Sequence, residues 1–289
     1  MNGLDKAMPL LPPGFRQALE VLPAGQVEEI RMRSGRNPTV LLAGEERELL
    51  KQSIMEEDIL RLLEKATGAS LHSAAPALAE GFLNYRGIRI GVCGTAVIRN
   101  ECFAGFRFFS SVAIRIPREC RGICKEILPA LCGGGFQNTL ILAPPGGGKT
   151  TALRELIRCL SERKFRIGVV DERNELAAAD RGQAQFDLGE HSDVLTGVDK
   201  QRGCMMLLRG MNPQILAMDE ISREQDLETA MNVVGCGVKL LASAHATNVE
   251  ELSSRPLYQK LLDRQIFKRF IIIGGNGDRR YYRILEAQK

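Results

Sequence analysis

Four short, mainly apolar runs lie in the second half of the chain, and they are followed by prolines (144–145), by acidic residues (171–172 and 219–220) or by His245. Runs that are apolar at every position are typical of strands buried on both faces of a parallel sheet. Between the first two runs, apolar residues recur at the i, i+3, i+4 and i+7 spacing of a helix that lies on a sheet. This pattern predicts an α/β domain whose buried strands include residues 140–142, 166–170, 215–218 and 238–243.

The first half of the chain has a different pattern, in which apolar and polar residues alternate over short stretches such as 30–33, 88–93 and 112–116. Such alternation indicates strands with one buried face. Ser53 and Glu56 form a capping-box sequence ahead of an apolar helical stripe that stops before Gly68. We therefore predict a small α+β domain, with a further short helix at residues 15–22. The predicted domains are an N-terminal α+β domain (1–118), a linker (119–138) and the α/β domain of the second half (139–289).

The centre of the second domain is a glycine-rich turn between the first buried strand and the helix. It reads Ala143-Pro-Pro-Gly-Gly-Gly-Lys149-Thr150. In a phosphate-binding loop, backbone N–H groups and the positive helix N-terminus surround an anion. Lysine then reaches the β- and γ-phosphates, and the following hydroxyl binds Mg²⁺. Ala143 replaces the usual first glycine, a small change at a position that needs a small residue. The expected nucleotide-binding residues are Pro145, Gly146, Gly147, Gly148, Lys149, Thr150 and Thr151, and the expected cofactors are ATP and Mg²⁺.

Acidic residues follow the strand at 215–218 about seventy positions after the loop. Asp219 is predicted to hold the Mg²⁺ ion with Thr150, and Glu220 to act on the attacking water as the general base. A second acidic group, which includes Asp171 and Glu172, follows the strand at 166–170. The carboxyl ends of strands are where open α/β sheets bind ligands, so both groups are expected near the loop.

His245 follows the strand at 238–243. We predict that this strand lies between those at 140–142 and 215–218, which would bring the imidazole near the γ-phosphate as a sensor. The alternative is a histidine that only satisfies a hydrogen bond in the core. At the end of the chain, Asn276-Gly277 between two strand-like runs predicts a β-hairpin.

Composition limits the classes of protein that fit. The net charge of +4 is spread along the chain, tryptophan is absent and aromatic residues make up only 5%. This argues against a surface for nucleic acid. No apolar run approaches 18 residues and no secretory leader begins the sequence, so we expect a cytoplasmic chain with no transmembrane segment of its own. Cys120, Cys124 and Cys132 lack paired CxxC spacing, so free thiols are favoured over a zinc site.

The chain resembles the secretion-type hexameric ATPases, the motors of type II and type IV secretion and of pili. Three segments carry this likeness: VVDERNEL (169–176), SDVLTGVDKQRGCMMLLRGMNPQILAMDEIS (192–222) and ASAHAT (242–247). Within that superfamily, GFLNYRGIRIGVCGTAVI (81–98) and FFSSVAIRIP (108–117) extend the likeness over nearly the full length to a branch from endospore-forming bacteria.

The resemblance implies a RecA/AAA-like core and a hexamer. It also implies an ATPase of the mother cell that powers or gates a membrane channel complex of sporulation stage III, on which it would dock from the cytoplasm. The family's acidic box falls on Asp171, Glu172 and Glu175, and its histidine box on His245. Arg115 best matches an arginine that reaches the nucleotide in several relatives. Secretion motors usually have glycine at the position of Asp219, so metal coordination here would be closer to that of ordinary P-loop ATPases.

Three alternatives concern the N-terminal arginines and the activity. The arginines of the N-terminal strands either lie on solvated outer faces or point into a cleft shared with the phosphate loop. The chain could instead be a nucleotide-dependent switch or assembly scaffold with little turnover. A nucleic-acid motor on the same core is disfavoured by the composition.

Overall fold

The computed structural model describes residues 3–71, 74–99, 101–117, 120–180, 182–275 and 280–287. It divides into two compact units. The N-terminal unit is Met1–Glu119 with Asp180–Gly182, and the C-terminal unit is Cys120–Ala179 with Gln183–Lys289. Of the predicted linker (119–138), residues 120–138 fall in the C-terminal unit, where Ile127, Leu128 and Leu131 are buried in its core.

The N-terminal unit is built on a six-stranded antiparallel sheet. Its elements are α1 (Gly3–Ala7), α2 (Pro13–Glu20), β1 (Val27–Arg33), β2 (Thr39–Leu42), β3 (Glu45–Glu48), α3 (Glu56–Thr67), α4 (Ala75–Ala79), β4 (Phe82–Tyr85), β5 (Ile88–Arg99) and β6 (Cys102–Arg115). The strand order is β3-β2-β1-β6-β5-β4. The predicted alternation holds in β5, where Ile88, Ile90 and Val92 are buried with the apolar face of α3. An α+β unit with a one-sided sheet is thus confirmed.

Helix α3 starts later than the sequence suggests. Ile54 is buried and forms a bridge with Ser34, which keeps this segment extended. The helix therefore begins at Glu56, and the Asp58 carboxylate accepts a hydrogen bond from the Met55 N–H at 3.0 Å. The prediction of a capping box at Ser53 is wrong, because tertiary pairing decides where the helix can start. The predicted end is confirmed, since Gly68 has a left-handed backbone.

The C-terminal unit contains a seven-stranded sheet with helices on both faces. Its elements are α5 (Leu128–Cys132), β7 (Thr139–Ala143), α6 (Lys149–Glu162), β8 (Ile167–Asp171), β9 (Ser192–Thr196), α7 (Lys200–Gly210), β10 (Ile215–Met218), α8 (Glu224–Gly235), β11 (Lys239–His245), α9 (Val249–Ser253), α10 (Pro256–Asp263), β12 (Arg269–Gly274) and β13 (Tyr281–Glu286).

Strand order in this sheet is β13-β12-β7-β11-β10-β8-β9, with antiparallel pairing only for β13 among the described strands. Leu140 and Leu142 of β7 pack in the core formed with α7, α8 and α10, while Ile141 and Ala143 pack in the core formed with α5 and α6. Two covered faces explain why the central strands are apolar throughout. The α/β class is therefore confirmed.

Strand β11 lies between β7 and β10, as predicted. In this register His245 is opposite Ala143, the last residue of β7. Strands β12 and β13 pair antiparallel, as a hairpin requires, although Asn276 and Gly277 themselves lie outside the described residues. The parallel strands thus bring the phosphate loop, His245 and the residues after β10 to one edge of the sheet.

Candidate functional site

The predicted phosphate loop connects β7 to α6 directly. Gly146 and Gly148 have φ angles of +71° and +91°, in the left-handed region that glycine enters without a steric penalty. Gly148 immediately precedes α6, which has 14 residues and directs its first N–H groups toward the loop. The loop therefore has the backbone form of an anion-binding turn at a helix N-terminus.

Lys149 points into the loop and is 7% exposed. Its Nζ lies 3.3 Å from the Ala143 carbonyl oxygen and 2.6 Å from His245 Nδ1. Burial lowers the pKa of Lys149, while the nearby Glu220 and Asp219 carboxylates act in the opposite direction. Since no anionic side chain forms an ion pair with this ammonium among the described residues, its charge is available to a phosphate.

His245 joins the lysine to the predicted base. Its Nδ1 faces Lys149, and its Nε2 lies 3.2 Å from Glu220 Oε1. An ammonium group can only donate, so Nδ1 accepts from Lys149 and Nε2 carries the proton that faces Glu220. The structure thus brings three predicted site residues together in one chain of polar contacts.

Asp219 is held by hydroxyl groups on two sides. Thr150 Oγ1 donates to Asp219 Oδ2 at 3.1 Å, and Ser243 Oγ donates to Asp219 Oδ1 at 2.6 Å. Ser243 is fully buried in β11, beside the end of β10. Ser243 was not among the residues predicted for the site. A hydroxyl in the middle of an otherwise apolar buried strand is the signal that could have identified it, because buried hydroxyls require a partner.

Glu220 has an unusual backbone for a residue other than glycine, with φ at +35°. Its N–H donates both to Ser243 Oγ at 3.0 Å and to Asp219 Oδ1 at 2.9 Å. Its carboxylate faces His245 and lies 3.7 Å from Arg173 Nη1. Strained conformations of this kind persist where surrounding bonds hold them, and they cluster at functional sites.

The acidic box separates into two structural roles. Asp171 is buried and accepts hydrogen bonds from the backbone N–H groups of residues 175–177. Burial raises the pKa of Asp171, although these N–H groups oppose the shift. Glu172 instead lies 3.2 Å from both Lys200 Nζ and Arg223 Nη2. Asp171 therefore holds the loop after β8, and Glu172 belongs to an ion-pair network beside Asp219 and Glu220.

Arg115 lies in the N-terminal unit, at the end of β6. Its Nε is 3.6 Å from Glu29 Oε2, and its side chain is 68% exposed. A role for Arg115 at the nucleotide stays a prediction.

The cysteines are all unpaired thiols. Cys124 is buried, and burial raises the pKa of its thiol well above the ordinary value, so it has little thiolate character. Among the described residues, no group of three or more His, Cys, Asp or Glu side chains is arranged to hold a metal ion. These observations assign no chemistry to Cys120, Cys124 or Cys132.

The residues of the loop and the strand ends line one cleft of about 330 Å³. The lining comprises Gly146, Gly148, Lys149, Thr150, Thr151, Glu175, Asp219, Glu220 and His245. A cleft of this size is within the range of small-molecule sites. Most of the site residues predicted in the C-terminal unit therefore meet in a single cavity, and Glu172 lies in the small cavity next to it.

Comparison with solved structures identifies the architecture. The ATPase DotB of Legionella pneumophila superimposes with a TM-score of 0.65 at 13% identity, covering 96% of this chain and 82% of DotB. The pilus retraction motor PilT with bound ADP gives a TM-score of 0.66 at 16% identity, covering 95% of this chain and 82% of PilT. At these identities the likeness establishes the fold, which is the RecA-like P-loop fold.

Sequence comparison identifies the family. The family model described as "Sporulation stage III, protein AA" matches residues 5–285. Stage III sporulation protein AA of Bacillus subtilis (strain 168) is 33% identical over 277 residues, which cover 93% of this chain and 90% of that protein. No helix within the described ranges is long and apolar enough to cross a bilayer. Because the family match spans nearly the whole sequence and the relative is matched over most of its length, the chain belongs to the sporulation stage III, protein AA family.

Proposed function

We propose that this chain is a Mg²⁺-dependent ATPase. The observation that carries the proposal is the contact chain from Lys149 through His245 to Glu220, next to the Thr150–Asp219 pair. It supplies a cation for phosphate, a carboxylate for water and a metal-binding pair in one cleft. The structures of DotB and PilT, which share the fold, are of an ATPase and of a pilus motor with bound ADP, and they agree with this proposal.

The residues of the cleft fit a nucleotide with Mg²⁺. Left-handed Gly146 and Gly148 turn loop N–H groups toward an anion, and buried Lys149 adds a positive charge. Thr150 Oγ1 and the Asp219 carboxylate would hold Mg²⁺. The ion would take its remaining ligands from water and phosphate oxygens, so it needs few ligands from the protein. When bound, Mg²⁺ would neutralise charge on the phosphates.

Each polar side chain then has a role that its contacts support. Lys149 binds phosphate, Glu220 accepts a proton from the attacking water, and His245 orients the Glu220 carboxylate through Nε2. Glu172 adds negative charge from the neighbouring cavity, where ion pairs with Lys200 and Arg223 fix its position beside Asp219 and Glu220. Asp219 is oriented by Thr150 and Ser243.

Two substitutions separate binding from turnover. Lys149→Ala should abolish ATP binding, with Lys125→Ala, at an exposed lysine, as the control. Glu220→Gln should bind ATP normally but hydrolyse it about 10²-fold more slowly or worse, because an amide cannot accept the proton. Glu228→Gln on the exposed face of α8 is its control. Unchanged affinity in Lys149→Ala, or parental turnover in Glu220→Gln, would refute the assignment.

We further propose that hydrolysis powers or gates a membrane channel complex during endospore formation. Membership of the sporulation family and the resemblance to secretion motors support this role. The chain would act from the cytoplasm of the mother cell, as a hexameric ring docked on channel proteins of the stage III complex. ATP turnover measured with and without the cytosolic domain of a channel protein tests the docking, and sedimentation under ATP tests the ring.

One observation favours a second function, a nucleotide-dependent switch with little turnover. Oε1 of Glu220 faces the orienting His245 Nε2, while Oε2 lies 3.7 Å from Arg173 Nη1, so Arg173 must move away before Oε2 can accept the proton of the attacking water. A resting site with an engaged base is what a partner-gated switch requires. Turnover that stays near zero with the partner present, together with ATP-dependent assembly, would favour this reading over the motor.

A further inference from the structure

Arg280 lies over the phosphate loop, although it is 131 residues after Lys149 in the sequence. Its Nη2 donates to the Gly146 carbonyl oxygen at 3.4 Å. Its Nη1 lies so close to Gly148 that a Cβ atom at that position would be 2.8 Å from it. The approach therefore depends on glycine at 148, and the guanidinium contacts the two left-handed positions of the loop.

The guanidinium has unused capacity for hydrogen bonds. Within the described part of the chain, no carboxylate lies within ion-pair distance of Arg280. Its Nε is buried and has no hydrogen-bond partner among the described residues. A guanidinium has five N–H donors, and a buried donor without an acceptor is unfavourable. Arg269 in the preceding strand is different, because it bonds to the Leu131 carbonyl oxygen at 2.6 Å.

The position of Arg280 in the sheet indicates which part of a nucleotide it would serve. It immediately precedes β13, which pairs with β12, and β12 flanks β7 on one side. His245 and Glu220, the groups proposed to act at the γ-phosphate, are at the ends of β11 and β10 on the other side of β7. Arg280 thus approaches the loop from the side opposite to the hydrolytic groups.

We propose that Arg280 is a phosphate-binding residue that the C-terminal hairpin supplies to the loop of the same chain. It donates to the α- and β-phosphates of a nucleoside di- or triphosphate, the part of the nucleotide that remains after hydrolysis. This inference rests on the proposed function. It assigns Arg280 to nucleotide retention, while Lys149 serves the β- and γ-phosphates and Glu220 and His245 act at the γ-phosphate.

The test compares Arg280→Gln and Arg280→Lys in the full chain with Arg283→Gln, an exposed arginine in the adjoining strand β13. Calorimetry gives the affinities for ATP, ADP and AMP with Mg²⁺. Arg280→Gln should weaken ATP and ADP binding by about 10- to 100-fold, the factor for losing charge-assisted hydrogen bonds. The two losses should agree within about threefold, and Arg283→Gln should match the parent. The affinities of Arg280→Lys should lie between those of the parent and of Arg280→Gln, because lysine keeps the charge but lacks the planar, two-pronged guanidinium.

Several results would overturn the inference. Parental or tighter ATP and ADP binding in Arg280→Gln would mean that the guanidinium does not contact phosphate. A loss confined to ATP would place it at the γ-phosphate instead. If Arg280→Gln melts at a lower temperature, the titrations are made well below its Tm, where the variant is fully folded: parental affinity for ATP and ADP there refutes phosphate binding, and reduced affinity supports it.

The parent and Lys149→Ala separate this inference from the proposed function. A parent that binds no nucleotide, or a Lys149→Ala variant that binds normally, overturns both. Binding that is lost in Lys149→Ala but unchanged in Arg280→Gln overturns only the role of Arg280.

Discussion

His245→Ala tests whether the imidazole has a role in turnover or only fills a place in the fold. The substitution removes the ring that connects Lys149 Nζ, at 2.6 Å, to Glu220 Oε1, at 3.2 Å. Lys149 keeps the carbonyl oxygens of Ala143 and Pro144 as acceptors, so its position in the loop should hold. Glu220 loses the donor that orients its carboxylate.

The structure allows an estimate of both effects. Hydrogen bonds to charged groups contribute about 1.5–3 kcal/mol each when buried. Because the His245 side chain is 30% exposed, water replaces part of what is lost. We expect the free energy of unfolding to fall by about 1–2 kcal/mol in total, and Tm by about 2–8 °C. Turnover should fall about tenfold or more, part of the 10²- to 10⁴-fold effect of a general base, while ATP affinity stays within about threefold.

One preparation of each variant provides the three measurements: Tm by calorimetry, ATP affinity by titration and the turnover rate at saturating ATP. His191→Ala is the matched control, since it removes a histidine of the same unit whose Nε2 has no partner among the described residues. A His245→Ala protein that is destabilised but fully active would show that the histidine only satisfies a hydrogen bond. The orienting role would then be wrong.

The remaining predictions concern three other side chains. Ser243→Ala should lower turnover by about tenfold and raise the Mg²⁺ concentration needed for half-maximal activity, because Asp219 loses the hydroxyl that orients it; Mg²⁺ titrations of the ATPase rate measure this. Since the pKa of Lys149 is lowered from its ordinary value of 10.5, ATP affinity should fall as pH rises through that lower value, whereas Lys149→Ala should show no such dependence in binding titrations at increasing pH. Arg115→Ala should reduce turnover in the assembled form and leave ATP affinity within about threefold; an unchanged rate would remove Arg115 from the site.

The glycine turn between β7 and α6 was predictable because the residues that form it are consecutive. The glycines, Lys149 and Thr150 are adjacent in the sequence, and the apolar strand before them fixes where the turn lies. The place of β11 between β7 and β10 was also predicted, and this brought His245 to the loop. Spacing and apolar pattern suffice where a structural feature is formed by consecutive residues.

What the sequence missed depends on contacts between distant segments. Ser34 pairs with Ile54 and delays the start of α3, so a local capping sequence at Ser53 is not used. Strand β6 was expected at 112–116 but extends over Cys102–Arg115, since its distal part lacks a regular apolar alternation. Arg280 could not be assigned, because only the pairing of β12 with β7 brings it near the loop. These features depend on pairing between segments that are distant in the sequence, so the pattern of one segment alone does not predict them.

Glu220 adopts left-handed backbone angles that a glycine would adopt at lower cost, so substitution at this position affects stability and activity in opposite directions. A side chain other than glycine in that region costs about 1–2 kcal/mol, so Glu220→Gly should relieve strain even though it removes the proposed base. Selection for thermal stability alone would then favour glycine, and selection for hydrolysis would oppose it. The same position therefore sets stability against activity, and a library screened only for heat resistance should accumulate inactive variants there.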